Sequence, residues 1–209
     1  MEMERPGPGE ELNVGEETVP RPAATVIVLR GGAAALEVLL VKRNPQSRFM
    51  GGAWVFPGGA VNRSEGHGDE ALRAAAIREV AEEAGIRIPG PQDLIPFSRW
   101  ITPAEVKIRF DTWFYLAPLP EGAEPTVDGR EVVDARWYAP RMALDAARAG
   151  QLLLVFPTIK HLEQLSGFRS AEALIGHARG RDIRPVQPRV IVSGETARIV
   201  LPGEAGYNG

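Results

Sequence analysis

One run, Arg78-Glu79-Val80-Ala81-Glu82-Glu83-Ala84-Gly85-Ile86, with Phe56-Pro57-Gly58-Gly59 before it, restricts this chain more than any other stretch. An α-helix turns about 100° per residue, so positions 79, 82 and 83 fall within an arc of roughly 100°. The opposite arc carries Ile77, Val80, Ala81 and Ala84, which suits packing on a core. Like charges three and four residues apart repel by about 0.2–0.5 kcal/mol per pair, so something positive is needed to offset them. Hard divalent cations such as Mg²⁺ take carboxylate oxygens. A glutamate-rich helix alone is most often a solvated face. The glycines change that reading. Gly58-Gly59 lets backbone approach a ligand without a Cβ in the way, and Gly85 sits where a left-handed C-cap ends a helix.

Taken in order, these residues resemble the Nudix box: Gly, five residues, Glu, seven residues, then Arg-Glu-apolar-x-Glu-Glu-x-Gly-apolar. The nine terminal positions all match, and Glu70 lies seven residues before Arg78. Ten residues, not five, separate Gly59 from Glu70, and the extra Ser64-Glu65-Gly66-His67-Gly68 reads as a loop insertion. Glu65 keeps the first spacing but leaves twelve residues before Arg78. Glu70 is preferred, because a helical register is rigid and a loop is not. The resemblance implies an α/β/α sandwich around a mixed sheet. It also implies Mg²⁺ or Mn²⁺ held by Glu79, Glu82, Glu83 and the backbone carbonyl of Gly59. Arg78 would orient the glutamates, with Glu70 as its partner. A carboxylate outside the helix would serve as base or extra ligand. Glu124, Asp128 and Glu131 are the candidates and Glu131 is favoured, against the plain alternative of a solvated loop acid.

A second signature lies upstream: Leu39-Leu40-Val41-Lys42-Arg43-Asn44, then Arg48, Gly52 and Phe56-Pro57-Gly58-Gly59. Its spacing resembles the coenzyme A diphosphatase branch of Nudix proteins, with Val41 and Asn44 replacing a threonine and a small residue. Guanidinium groups bind phosphate oxygens bidentately, which suits a ligand carrying a 3′-phosphate and a diphosphate. Lys42, Arg43, Arg48 and Arg109 are the expected substrate cations. Arg99-Trp100-Ile101-Thr102-Pro103, Arg109-Phe110-Asp111-Thr112-Trp113-Phe114 and Leu201-Pro202-Gly203-Glu204-Ala205-Gly206-Tyr207 are similar to the acyl-coenzyme A diphosphatases of peroxisomal type. That subfamily also has a long insertion in the box. The implied reaction is metal-dependent cleavage of coenzyme A or acyl-coenzyme A to 3′,5′-ADP and (acyl-)4′-phosphopantetheine. The alternatives are hydrolysis of another nucleoside diphosphate derivative, such as ADP-ribose, NADH or a sugar nucleotide, or a Nudix module that binds nucleotide without cleaving it.

Composition removes other classes. The chain has no cysteine, which excludes thiol nucleophiles, disulfides and zinc–thiolate sites. A net charge of −3 argues against general nucleic-acid affinity. No apolar run approaches the ~18 residues of a membrane span. The acidic start lacks a secretory signal's apolar region, and Tyr207-Asn208-Gly209 is not a peroxisomal address, so a cytoplasmic protein is expected.

Residues 1–20 hold six glutamates and three prolines and read as a disordered tail. Residues 21–140 read as the Nudix domain, and 141–209 as an extension packed on it. Strands are expected at 23–29, 36–41, 110–116 and 132–138. The box helix is expected at about 69–84, and further helices near 140–149, 157–166 and 170–179. Residues 180–188 read as irregular, and a hairpin follows at 189–192 and 197–201. The run Leu152 to Phe156 is apolar enough to wall a pocket for an acyl or pantetheine arm, but ordinary core or a homodimer surface is the simpler reading. Trp54 and Trp113 read as core. His67, His161 and His177 receive no role.

Overall fold

The protein is described here from a computed structural model, which covers residues 2–3, 11–13, 15–33, 35–47, 49–193 and 196–207. Its organising strand is β2 (Arg21–Arg30), which follows the short β1 (Glu2–Met3). The Val-Ile-Val-Leu run of β2 is apolar on both faces, as a central strand covered on two sides must be. It pairs in parallel with β7 (Phe110–Pro118) along nearly its whole length. On its other edge, its end pairs antiparallel with β3 (Glu37–Arg43), and its beginning with β5 (Gly58–Ala60). The sheet is completed by β4 (Trp54–Val55), β6 (Ile95–Ile101), β8 (Val132–Tyr138) and β9 (Pro185–Val186). Helix α1 (Gly68–Ala84) lays Ala75, Ala76, Val80 and Ala84 on one sheet face, against Val26, Val28 and Val41. Helices α2 (Pro140–Arg148), α3 (Phe156–Leu165) and α4 (Ala171–Ala178) cover the other. There Leu144, Leu162, Leu165 and Leu174 meet Ile27, Leu29, Leu40 and Leu116. Each such side chain contributes about 1.5–3 kcal/mol on burial. The result is the expected α/β/α arrangement with a mixed sheet. A hairpin, β10 (Arg189–Ser193) and β11 (Thr196–Val200), forms a small second sheet with β1. Residues 194 and 195 of its expected turn lie outside the described residues.

The expected strands and helices appear within about two residues of their anticipated ends. Three differences have physical causes. Strand β6 was not expected, because Pro96 and the polar Ser98 and Arg99 interrupt its pattern; its pairing with β7 slips between Pro96 and Ser98, a bulge that accommodates the proline. Within 180–188, Pro185 and Val186 pair with β6. Of the segment expected to be a disordered tail, residues 11–13 and 15–20 are ordered along the 102–109 loop. Leu12 bridges to Val106, the Asn13 N–H donates to the Glu105 carbonyl, and Glu11 pairs with Lys107 at 3.0 Å. Leu152 and Leu154 enter the core, Leu153 is exposed, Trp54 is buried and Trp113 is half-buried. Among the described residues, no helix is long and apolar enough to cross a membrane.

His161 locks α3 to β6. It is fully buried among Phe56, Phe97, Trp100 and Phe114. Its Nδ1 lies 2.7 Å from the Pro157 carbonyl and must donate there, so Nε2 accepts from the Ser98 hydroxyl at 2.6 Å. Burial pushes its pKa down to about 4. An unfolded histidine titrates near 6.5. Between these values the unfolded chain binds a proton that the folded chain does not. Stability should therefore be full above about pH 6.5 and fall by up to about 3 kcal/mol as pH drops towards 4. Urea unfolding across this window should show that slope in the wild type and lose it in His161→Gln.

Candidate active site

The site forms where α1 crosses β5. Helix α1 ends as its sequence demands: Gly85 adopts φ 65° and ψ 7°, and its N–H bonds the Ala81 carbonyl. The last two turns of the helix therefore present the Arg78–Glu83 face to the Gly58-Gly59 strand. That strand lies so close to β2 that a Cβ on Gly58 would stand 2.6 Å from the Ala24 carbonyl oxygen and from the Thr25 Cα. A Cβ on Gly59 would strike the Glu79 carboxylate instead. One glycine admits the sheet and the next admits the helix.

The three glutamates occupy different surroundings. Glu83 is buried, accepts the Gly58 N–H at 2.9 Å and has the Arg43 guanidinium at 3.8 Å. Burial pushes its carboxyl up to about 7 against the lowering effect of the Gly58 N–H; Glu79, and more weakly Glu131, add repulsion. Glu79 is half-buried, and burial raises its pKa too, although Arg78 opposes the rise. Glu82 is largely exposed. Arg78 ties the group together, donating to Glu79 at 2.7 Å, Glu82 at 3.0 Å and the Ala60 carbonyl at 3.1 Å. With Arg78 holding two of the acids and Gly58 the third, no three acids or histidines among the described residues converge on one point as placed.

The partner of Arg78 corrects an expectation. The guanidinium binds Glu65 through Nε at 2.8 Å and again through its second nitrogen at 3.4 Å, not Glu70. Glu70 is exposed on the first turn of α1. Eight residues along one helix are about 12 Å apart, too far for a side-chain pair. Glu65 instead comes from a short 3₁₀ turn, Arg63–Glu65, that folds back over the helix. Its carboxyl, which burial alone would push up, is held below the usual range by Arg78 and the Asn62 N–H. The insertion thus falls after the conserved-spacing glutamate, in Gly66-His67-Gly68 and the helix start. Glu65→Gln should lower kcat about 10- to 100-fold by releasing Arg78, whereas Glu70→Gln should leave kcat and KM as in the wild type.

The expected substrate cations also separate. Arg43 lines a cavity of about 320 Å³ whose wall includes Gly58, Gly59, Phe49, Met50 and Thr158. Lys42 pairs across the sheet with Trp54 and Asp134 and does not line that cavity. Arg48 lies outside the described residues. Arg109 is not at the cavity. Its side chain is 2% exposed and is consumed by the Thr102 and Thr18 carbonyls and Glu17. Of the candidate loop acids, exposed Glu131 raises the pKa values of Glu79 and Glu83 electrostatically, so it stands near both. Asp128 caps its own turn through the Arg130 N–H. Of the Leu152 to Phe156 run weighed as a pocket wall, Val155 lines this cavity; sequence reasoning missed Thr158, which α3 brings to it from the far layer and no local pattern marks.

Residues 19–155 match the NUDIX domain family model. The chain belongs to the Nudix family. Among Nudix relatives it is 29% identical to nudix hydrolase 7 of Caenorhabditis elegans, over 70% of this chain and 60% of that protein. It therefore spans about three-fifths of that relative's length. It is 23% identical to human acyl-coenzyme A diphosphatase NUDT19, over 84% of this chain and 73% of that one. The crystal structure of a Nudix hydrolase from Alicyclobacillus acidocaldarius superposes with a TM-score of 0.67 at 29% identity, covering 76% of this chain and 96% of its own. The Nudix domain of Shewanella oneidensis NrtR, solved with ADP-ribose, shares the fold at a TM-score of 0.52 and 19% identity, over 70% of this chain and 86% of its own.

The donors suit a hard divalent cation, as Nudix hydrolases generally use. Glu83 is a buried carboxylate whose nearest cation stands 3.8 Å away, and burial, with the Glu79 charge beside it, raises its pKa, a cost that a bound cation would offset. Glu79, Glu82, Glu83 and the Gly59 carbonyl are the oxygens that would hold it.

Proposed function

We propose that this Nudix protein hydrolyses the diphosphate of coenzyme A or acyl-coenzyme A to 3′,5′-ADP and (acyl-)4′-phosphopantetheine. The observation that carries the proposal is the buried Glu83 carboxylate, held by Gly58 beside Arg43 at the edge of the 320 Å³ cavity. A divalent cation, when bound, polarises a phosphoryl oxygen and lowers the pKa of a water. The chain's own residues supply the rest. Arg43 offers donors to diphosphate oxygens from the cavity wall. Gly58 and Gly59 let the ligand reach backbone. Arg78, fixed by Glu65, sets the angle of Glu79 and Glu82. Water attacks one phosphorus, and the bridging P–O bond breaks. The coenzyme A choice draws support from the Lys42-Arg43 motif spacing and from the similarity to the human acyl-coenzyme A diphosphatase.

The test is a hydrolysis panel with Mg²⁺ and with Mn²⁺: coenzyme A, an acyl-coenzyme A, ADP-ribose, NADH and a nucleoside triphosphate, with products identified by mass. Release of 3′,5′-ADP is the expected result. Cleavage of ADP-ribose or NADH alone would overturn the coenzyme A reading and keep diphosphate hydrolysis. Ligand-induced stabilisation with no cleavage would make the protein a binding module.

A further inference from the structure

A second chamber opens beside the Arg43 cavity, and its chemistry is different. Phe49, Met50, Thr102, Thr112, Phe114 and Pro157 line both spaces, so the two are contiguous. The chamber holds about 100 Å³. Beyond the shared doorway its walls are apolar, among them Val106, Ile108, Phe156, Pro188, Val190 and Ile199. No charged side chain lines it, and its side-chain polar groups are the Trp100 indole N–H and the two threonine hydroxyls. That of Thr102 is already committed to the carbonyl and N–H of Phe110.

The chamber exists because the C-terminal hairpin is fastened over the sheet. Val190 and Ile199 stand directly opposite each other on β10 and β11. The hairpin is pinned to the 102–109 loop by Glu105, which accepts the Val190 N–H at 3.2 Å and pairs with Arg189 at 3.6 Å. Tyr207 ties the chain beyond it back to the Gln187 carbonyl at 2.8 Å. Several of these hydrophobes remain half-buried, with Ile108 45% exposed, facing space the protein itself does not fill.

We propose that this chamber is a subsite for a short aliphatic group carried by the diphosphate substrate. The proposal rests on the hydrolase reading above for its substrate, though not for its geometry. A dry apolar cavity of roughly 150 Å³ takes a benzene ring, so this one of about 100 Å³ accommodates about four carbons, with a longer chain reaching back into the shared doorway. An amide-bearing pantetheine arm or an adenine ring would bring several polar atoms to a wall that offers only the Trp100 N–H and the Thr112 hydroxyl as side-chain partners, and burying the remainder unpaired is costly. An alkyl group has no such need and gains from leaving water. The chamber thereby selects thioesters with a short acyl chain over the free thiol.

The test is kcat/KM for coenzyme A and its acetyl, butyryl, hexanoyl and palmitoyl thioesters, in the wild type and in Val190→Trp, which fills the chamber. Ile199→Phe fills it from the opposite strand if Val190→Trp does not fold. The expected wild-type profile rises about tenfold from coenzyme A to the butyryl or hexanoyl thioester. In the filled variant that ratio falls to near one, whatever happens to the absolute rate. A flat profile, or a ratio unmoved by filling, overturns the subsite. If no coenzyme A compound is cleaved, the substrate reading fails separately. Titration with 1-hexanol then decides the subsite by NMR: shifts of the Val190 and Ile199 methyls in the wild type, absent on filling, support it, and no shift overturns it.

Discussion

Glu83→Gln should abolish most turnover, by about a thousandfold or more, while leaving the protein at least as stable as the wild type. The two halves of that result have one cause. The Glu83 carboxyl has its pKa raised to about 7, principally by burial. A folded-state value above the unfolded one means that ionisation works against folding: stability is full below about pH 4.5 and is lost as pH rises towards 7. Glutamine keeps the shape, can still accept the Gly58 N–H and carries no charge to desolvate. It also removes the strongest candidate ligand, the kind of change that takes away transition-state charge stabilisation. Steady-state kinetics and thermal unfolding of the same preparation check both halves. Near-normal turnover would overturn the assignment of Glu83 as a metal-holding residue.

The adjacent glycines should fail in opposite ways. Gly59→Ala drives a methyl into the Glu79 carboxylate, the far end of a flexible side chain that can swing aside. The fold should survive, with unfolding free energy changed by less than about 1 kcal/mol. Activity should drop about a hundredfold, because the displaced oxygen is one that would hold the metal. Gly58→Ala meets the Ala24 carbonyl and Thr25 Cα at 2.6 Å, and backbone cannot swing aside. That variant should lose about 3 kcal/mol or more and express poorly. Circular dichroism melts alongside activity separate the two outcomes. Equal effects on stability would mean β5 is not held between sheet and helix in the way the geometry indicates.

How much of this was legible beforehand depended on whether the information was local. The carboxylate face of α1 and its glycine stop follow from a fixed 100° turn, and both appear in the structure. The continuous apolar, β-branched run of Thr25 to Leu29 made β2 readable. Strand β6 was not readable, since Pro96 argues against a strand until β7 is present to pair with on either side of the bulge. Helical register points to Glu70 as the partner of Arg78, but eight residues of helix span about 12 Å, and the 3₁₀ turn that brings Glu65 back has no periodic signature. Arg109 sits in a stretch resembling a substrate-binding family motif, yet its partners lie about ninety residues upstream, where no spacing rule reaches.

That last contact bears on where the domain may be trimmed. The family match begins at residue 19, so an excised catalytic unit cut to that boundary would look complete on paper. It would discard Glu17 and the Thr18 carbonyl, leaving the Arg109 guanidinium at the base of β7 with only Thr102 for company. Leaving a buried donor short of its partners costs about 1–3 kcal/mol, a noticeable share of what a domain of this size has to spare. A piece that keeps this contact therefore starts upstream of residue 19, with Glu17 retained as the counter-ion of Arg109.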